Sequence, residues 1–119
     1  MTAARRARGR RGEDLAADWY ERRGYRIVDR NWRSRQGELD LVVRAGGLLV
    51  FCEVKARTSD RFGSPAEAVT RDKQQRIRRL AREWMTVADA RAPRVRFDVV
   101  SVLLGGRDGP VGDVVTDAF

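Results

Sequence analysis

Gly46-Gly47, set between two alternating β-rich runs, constrains this chain more than any other feature. The run Gly37-Glu38-Leu39-Asp40-Leu41-Val42-Val43 precedes it, and Leu48-Leu49-Val50-Phe51-Cys52-Glu53-Val54-Lys55 follows. Paired glycines between such runs predict a tight hairpin, because the favoured hairpin turns take positive φ at their central residues. Centring the turn there sets Asp40 opposite Glu53 and Glu38 opposite Lys55. Side chains alternate along a strand, so these four residues are expected to share one face. The other face is apolar, with Leu39 against Val54, Leu41 against Cys52 and Val43 against Val50. A slip of one residue would mix the two sets, so polarity itself favours this register.

Carboxylates directly opposite one another on paired strands sit about 4.5–5.5 Å apart at Cβ and repel. A fold tolerates that when a cation stands between them or one acid keeps its proton. Hard divalent cations such as Mg²⁺ use one or two carboxylates together with water and substrate phosphate. A lysine two residues beyond the second acid can activate an attacking water or neutralise charge developing on phosphate. The set therefore reads as a metal-assisted phosphodiester-hydrolysing site. The plainer reading is a solvated sheet face with a Glu38–Lys55 cross-strand pair.

Composition narrows the chemistry. The 119 residues contain no histidine, which excludes Ser-His-Asp catalysis, histidine-ligated zinc and histidine acid–base chemistry. Carboxylates and lysine must carry any reaction. The single cysteine, Cys52, lies on the apolar face of its predicted strand and reads as a small core residue. A net charge of +8, carried largely by arginine, suits phosphate-rich partners. The length predicts one domain over residues 1–119. No apolar run resembles a secretory signal or a bilayer span, so a soluble, cytoplasmic protein without membrane association is expected.

Residues 1–11 read as a basic arm that can fray. A helix is expected from about Gly9–Glu13 to Arg23, with Gly24 as its C-terminal cap. Leu15, Ala16, Ala17, Trp19 and Tyr20 form its apolar arc, and Glu13 projects into that arc. That acid is either a site carboxylate or a favourable charge at a helix start. Tyr25–Trp32 reads as a first strand and Arg33–Gly37 as a turn. Thr58–Gly63 reads as a loop, with Arg57 at its edge and Arg61 and Phe62 within it. Ser64-Pro65-Ala66-Glu67 resembles a helix start, and Thr70 a second one.

From Arg71 to about Ala88 the sequence is strongly amphipathic. Val69, Lys73, Ile77, Leu80, Trp84 and Val87 line one stripe. Lys73 either snorkels to solvent at the helix end or reaches a phosphate near the site. Arg71, Arg78 and Arg82, with Arg79 and Gln75, form either a solvated face or a nucleic-acid-binding one. Val95–Leu104 reads as a central strand interrupted by Asp98, an acid expected to pair with Arg96 or to support the site. Val114-Val115 adds a short edge strand. The order is α-β-β-β-α-β-(β), an α/β fold with a mixed sheet of four to five strands flanked by helices.

Glu13, Gly37-Glu38-Leu39-Asp40-Leu41 and Glu53-Val54-Lys55 together resemble the PD-(D/E)xK nuclease superfamily, with its restriction-endonuclease-like fold. A wider set is similar to the YraN-like family, small bacterial relatives of archaeal-type Holliday-junction resolvases. That set adds Gly12, Gly24-Tyr25, Arg30-Asn31, Phe51-Cys52, Ala56-Arg57, Phe62-Gly63, Ala68-Val69, Lys73 and Arg96-Phe97-Asp98-Val99-Val100. The resemblance spans roughly residues 12–102. It implies Asp40 and Glu53 as metal ligands, with the Val54 backbone carbonyl completing the shell. It also implies Lys55 as the catalytic lysine and Glu13 as a helix-borne catalytic acid. Leu39 stands where the superfamily's name has proline, a residue without chemistry of its own.

The expected function is a Mg²⁺- or Mn²⁺-dependent endonuclease hydrolysing DNA phosphodiesters. A preference for branched or junction DNA, and a homodimer, are implied by the resemblance alone. Arg57, Arg61, Lys73, Arg71, Arg78, Arg82 and the basic arm would hold phosphates without reading sequence. Two alternatives keep the fold without turnover: a catalytically silent nucleic-acid-binding protein, and an adaptor in a DNA uptake or repair complex.

Overall fold

The computed structural model describes residues 3–57, 69–104 and 111–119. Its elements are α1 (Ala3–Glu21), β1 (Arg26–Ser34), β2 (Gly37–Ala45), β3 (Leu48–Arg57), α2 (Arg71–Val87), β4 (Arg94–Leu103) and β5 (Val111–Val115). The five strands lie side by side in chain order. β1, β2 and β3 are antiparallel, β3 and β4 are parallel, and β5 returns antiparallel to β4. A parallel pair needs a long crossover, and α2 lies within it. The expected α/β order is therefore the observed one, with β3 at the centre of the sheet and β4 next to it.

The hairpin adopts the expected register, Ala45↔Leu48 through Leu41↔Cys52. Only Gly46 takes positive φ, at 58°. Gly47 is needed for room instead: a Cβ there would lie 3.0 Å from Pro93 Cγ.

Burial divides the core in two. Val42, Leu49, Phe51, Phe97 and Val99 pack with Ile77, Leu80, Ala81 and Trp84 of α2. Leu41, Val43, Val50, Cys52, Val100 and Val102 pack with Ala16, Ala17 and Tyr20 of α1. Each helix thus covers one sheet face, which explains why β3 and β4 are apolar on both sides. Asp98 in β4 is fully buried. Both its oxygens are engaged by Arg96, at 2.8 and 2.9 Å, and Tyr20 Oη donates to it at 2.7 Å. The Asp117 N–H also donates to it at 3.1 Å. This acid ties α1 and the chain's last residues to β4, the pairing outcome of its two expected roles.

Three boundaries differ from expectation. α1 begins at Ala3, earlier than the expected start near Gly9–Glu13, and takes in most of the basic segment. Alanine and arginine are strong helix formers and no proline interrupts them. At the other end of α1, Tyr25 N–H bonds Tyr20 C=O and Gly24 N–H bonds Glu21 C=O, the paired closure of a Schellman cap. β1 continues beyond Trp32 to Ser34. Val87 is 70% exposed, because the stripe runs off the sheet at the last turn of α2. Thr70 caps α2 by accepting from the Lys73 N–H. The loop expected over Thr58–Gly63, with Arg61 and Phe62, and the helix start at Ser64–Glu67 lie outside the described residues. Among the described residues, no helix is long and apolar enough to cross a membrane.

Candidate active site

Strand pairing between β2 and β3 ends at Leu41–Cys52, and the site begins there. Beyond that point Asp40 Oδ2 accepts the Val54 N–H at 2.9 Å, where a ladder bond would otherwise form. The side chain has replaced a backbone partner, so two-residue alternation no longer decides where it sits. Asp40 and Glu38 line a cleft of about 440 Å³ together with Glu13 of α1, Asn31 and Arg33 of β1, and Val54 and Ala56 of β3. Glu53 instead faces α2, where Lys73 Nζ approaches its Oε1 at 2.7 Å and Lys55 Nζ approaches the same oxygen at 3.3 Å. The expected single face of four residues is thus two adjoining groups, three acids toward α1 and an acid with two lysines toward α2. Glu38 pairs with Arg33 at 3.4 Å rather than with Lys55.

Glu13, Glu38 and Asp40 can bring one oxygen each within 4.8 Å of one another. Glu13 is only 8% exposed, which matches its inward position on the helix arc. What brings it here is its neighbour. A Cβ on Gly12 would lie 2.8 Å from Ala56 Cβ, so the bare glycine lets α1 press onto β3. Arg6, Gly9 and Arg10, from the preceding turns, line the same cleft.

The electrostatics follow from this crowding. Burial, then the Glu53 charge, push the Asp40 carboxyl up to about 8, against the opposing Val54 hydrogen bond. Burial also raises Glu13, although a hydrogen bond from Asn31 works the other way. On the α2 side, burial and contact with Lys73 lower Lys55. Lys73 moves upward: burial opposes its charge, but pairing with Glu53 and Lys55 more than offsets that. Two cations converging on one buried carboxylate oxygen divide so that Lys73 keeps its proton more firmly.

The donors fit a hard divalent cation. Oxygen ligands converge, one nearly buried, with negative charge that the fold itself leaves poorly compensated. Glu53 stands next to this group, near enough to raise Asp40, but with its carboxylate turned to the lysines.

The remaining expected residues fall in two regions. Arg57 closes β3, its carbonyl accepting the Leu104 N–H at 2.8 Å. Arg71 and Arg82 are exposed on α2, and Arg78 lies over the Phe97 and Phe119 rings at 5.1 and 5.6 Å. Arg61 lies outside the described residues. Trp32 packs beside the α2 core. Cys52 is a buried free thiol, raised by that burial.

Three polar cleft residues had no assigned role in the sequence reading, Glu38, Asn31 and Arg33. Glu38 lay in the same polar set as Asp40, so its presence was visible. Asn31 takes φ 52° within β1. Asparagine tolerates that conformation and is a poor strand former, and its place within a β run was the available signal.

Residues 12–102 match the model of a family described as "Uncharacterised protein family UPF0102". A UPF0102 protein of Rhodococcus jostii (strain RHA1) is 53% identical over 113 residues, covering 95% of this chain and 96% of that one. One from Beutenbergia cavernae is 55% identical over 100 residues, 84% of this chain and 85% of its own. One from Nocardia farcinica (strain IFM 10152) is 49% identical over 115 residues, 97% and 91% of the two chains. With the match extending over every element from α1 to β4, the chain belongs to the UPF0102, or YraN-like, family.

Proposed function

We propose that this protein is a Mg²⁺- or Mn²⁺-dependent endonuclease that hydrolyses DNA phosphodiesters. The observation that carries the reading is the convergence of Glu13, Glu38 and Asp40 beside Glu53 and Lys55, at a cleft lined by arginines. A bound divalent cation supplies charge neutralisation on the phosphate and a more acidic water. Asp40, Glu13 and Glu38 would hold it, with Glu53 and the Val54 carbonyl adjoining. Lys55 would orient the attacking water or, as the neutral amine that burial favours, take a proton from it at Nζ. Arg6, Arg10 and Arg33 line the cleft as cationic partners for the flanking phosphates. Arg71, Arg82 and Arg57 extend the basic surface on and below α2. These contacts give affinity and register rather than sequence reading.

The resemblance to resolvases directs the substrate choice to branched or junction DNA and the assembly to a homodimer. One observation favours a second reading, a DNA-binding protein without turnover: Glu53 is held by two lysines rather than by the acid cluster. A panel of branched, single-stranded and duplex DNA, incubated with Mg²⁺ or Mn²⁺, separates the two. Under the nuclease reading wild type cleaves, and Asp40→Asn, Glu53→Gln and Lys55→Ala each lose about 10²–10⁴-fold while still binding DNA. Salt-sensitive binding with no cleavage of any substrate supports the silent binder.

A further inference from the structure

Lys73 comes from a different element than the acids, yet it makes the shorter of the two ion pairs to Glu53. It sits in the first turn of α2, its backbone N–H fixed by the Thr70 hydroxyl at 3.2 Å. From there Nζ lies 2.7 Å from Glu53 Oε1, closer than Lys55 at 3.3 Å. Glu53 is 8% exposed, so water cannot substitute for a lost partner. A buried carboxylate needs a cation, a hydrogen-bond donor or its own proton. Here two cations compete for that role, the ammonium of Lys73 and any divalent ion held by the neighbouring acids.

Resting on the metal-dependent reading above, we propose that Lys73 is a positioning residue that holds Glu53 toward α2 and so sets how tightly the acid cluster binds a divalent cation. An ion held by Glu13, Glu38 and Asp40 gains Glu53 as a further ligand only by taking it from Lys73, and the cost of breaking that ion pair is subtracted from metal affinity. The displaced ammonium is left beside Lys55, where a phosphate is its natural replacement partner. Substrate and metal thereby favour each other's binding, because each satisfies one half of the pair that the other breaks. Lys55 cannot fill the holding role alone. It lies on β3 with Glu53 and at longer range, whereas Lys73 pulls from the opposing helix.

The test is Mn²⁺ titration of the full chain without DNA, followed by electron paramagnetic resonance of the free ion. Lys73→Gln should bind Mn²⁺ about 3- to 10-fold more tightly than wild type, and Lys73→Arg, which keeps a cation against Glu53, should resemble wild type. Arg79→Gln removes an equal charge from the exposed side of α2 and controls for general electrostatics. Adding a phosphorothioate oligonucleotide should tighten Mn²⁺ binding in wild type more than in Lys73→Gln. If wild type binds Mn²⁺ and Lys73→Gln binds it equally or less tightly, the holding role is refuted while the metal site stands. An equal gain in Arg79→Gln refutes it as well. If neither wild type nor any variant binds Mn²⁺, the metal-dependent reading falls and this inference falls with it.

Discussion

Replacing Asp40 with asparagine should stabilise the metal-free protein, and should do so only at the upper end of the pH range. In the folded chain the Asp40 carboxyl is raised from its ordinary 3.8 to about 8, first by burial and then by Glu53. Between those two values the folded state carries a proton that the unfolded state has lost. Stability therefore falls as pH rises from about 4 to about 8. At about 1.4 kcal/mol per pH unit, holding Asp40 against ionisation at pH 7 costs at most about 4 kcal/mol. Water reaching the partly open cleft reduces this to about 2 kcal/mol. Asparagine cannot ionise, and its amide oxygen still accepts the Val54 N–H. Thermal denaturation in chelator should thus show Asp40→Asn melting above wild type by about 5–10 °C at pH 8, with the gap closing near pH 4. Excess Mn²⁺ should reverse the order at pH 8, because only wild type gains the ion's binding energy. A gap independent of pH, or a wild type that is the more stable protein in chelator at pH 8, would refute the reasoning.

Other substitutions test the supports of the site. Gly12→Ala must displace α1 from β3 and should cost about 1–3 kcal/mol by denaturant unfolding. Asn31→Ala should lose about 1–2 kcal/mol through its left-handed backbone alone, whereas Asn31→Gly should escape that part, so glycine should be the more stable variant in a melt. Tyr20→Phe removes one of two donors to Oδ2 of buried Asp98, which keeps its Arg96 bond, and should cost about 0.5–1.5 kcal/mol in the same assay, with little effect on Mn²⁺ binding.

The order of elements along the chain and the hairpin register were legible in the sequence, the register because polarity alternates along both strands. Leu41, Val43, Val50 and Cys52 share one face, and moving one strand by one position would break their cross-strand match and mix the acids into it. Asp98 was legible as an acid that either pairs with Arg96 or supports the site, since an apolar strand tolerates a carboxylate only with a partner. Lys73 stood out as a charge at the head of an apolar stripe, although its target did not. The division of the acids into two adjoining groups was hidden. Alternation holds only while strands are paired, and sequence does not report that pairing stops after Leu41–Cys52. Asn31 was hidden too, as a single left-handed residue leaves no periodic trace. The basic segment looked like an arm because charge dominated its appearance; helix propensity, a weaker signal, decided its form.

The contact of Gly12 with Ala56 has a consequence for ion choice. Mg²⁺ wants oxygens at about 2.0–2.1 Å, while Ca²⁺ accepts about 2.3–2.6 Å, so a few tenths of an ångström separate a good host from a poor one. Glu13 rides on the residue after Gly12, and its distance from Asp40 is gauged by how far α1 can sink against β3. Under the metal-dependent reading, the caliper that would gauge ionic radius is a position with no side chain, and its jaws would open by one methyl group at a time.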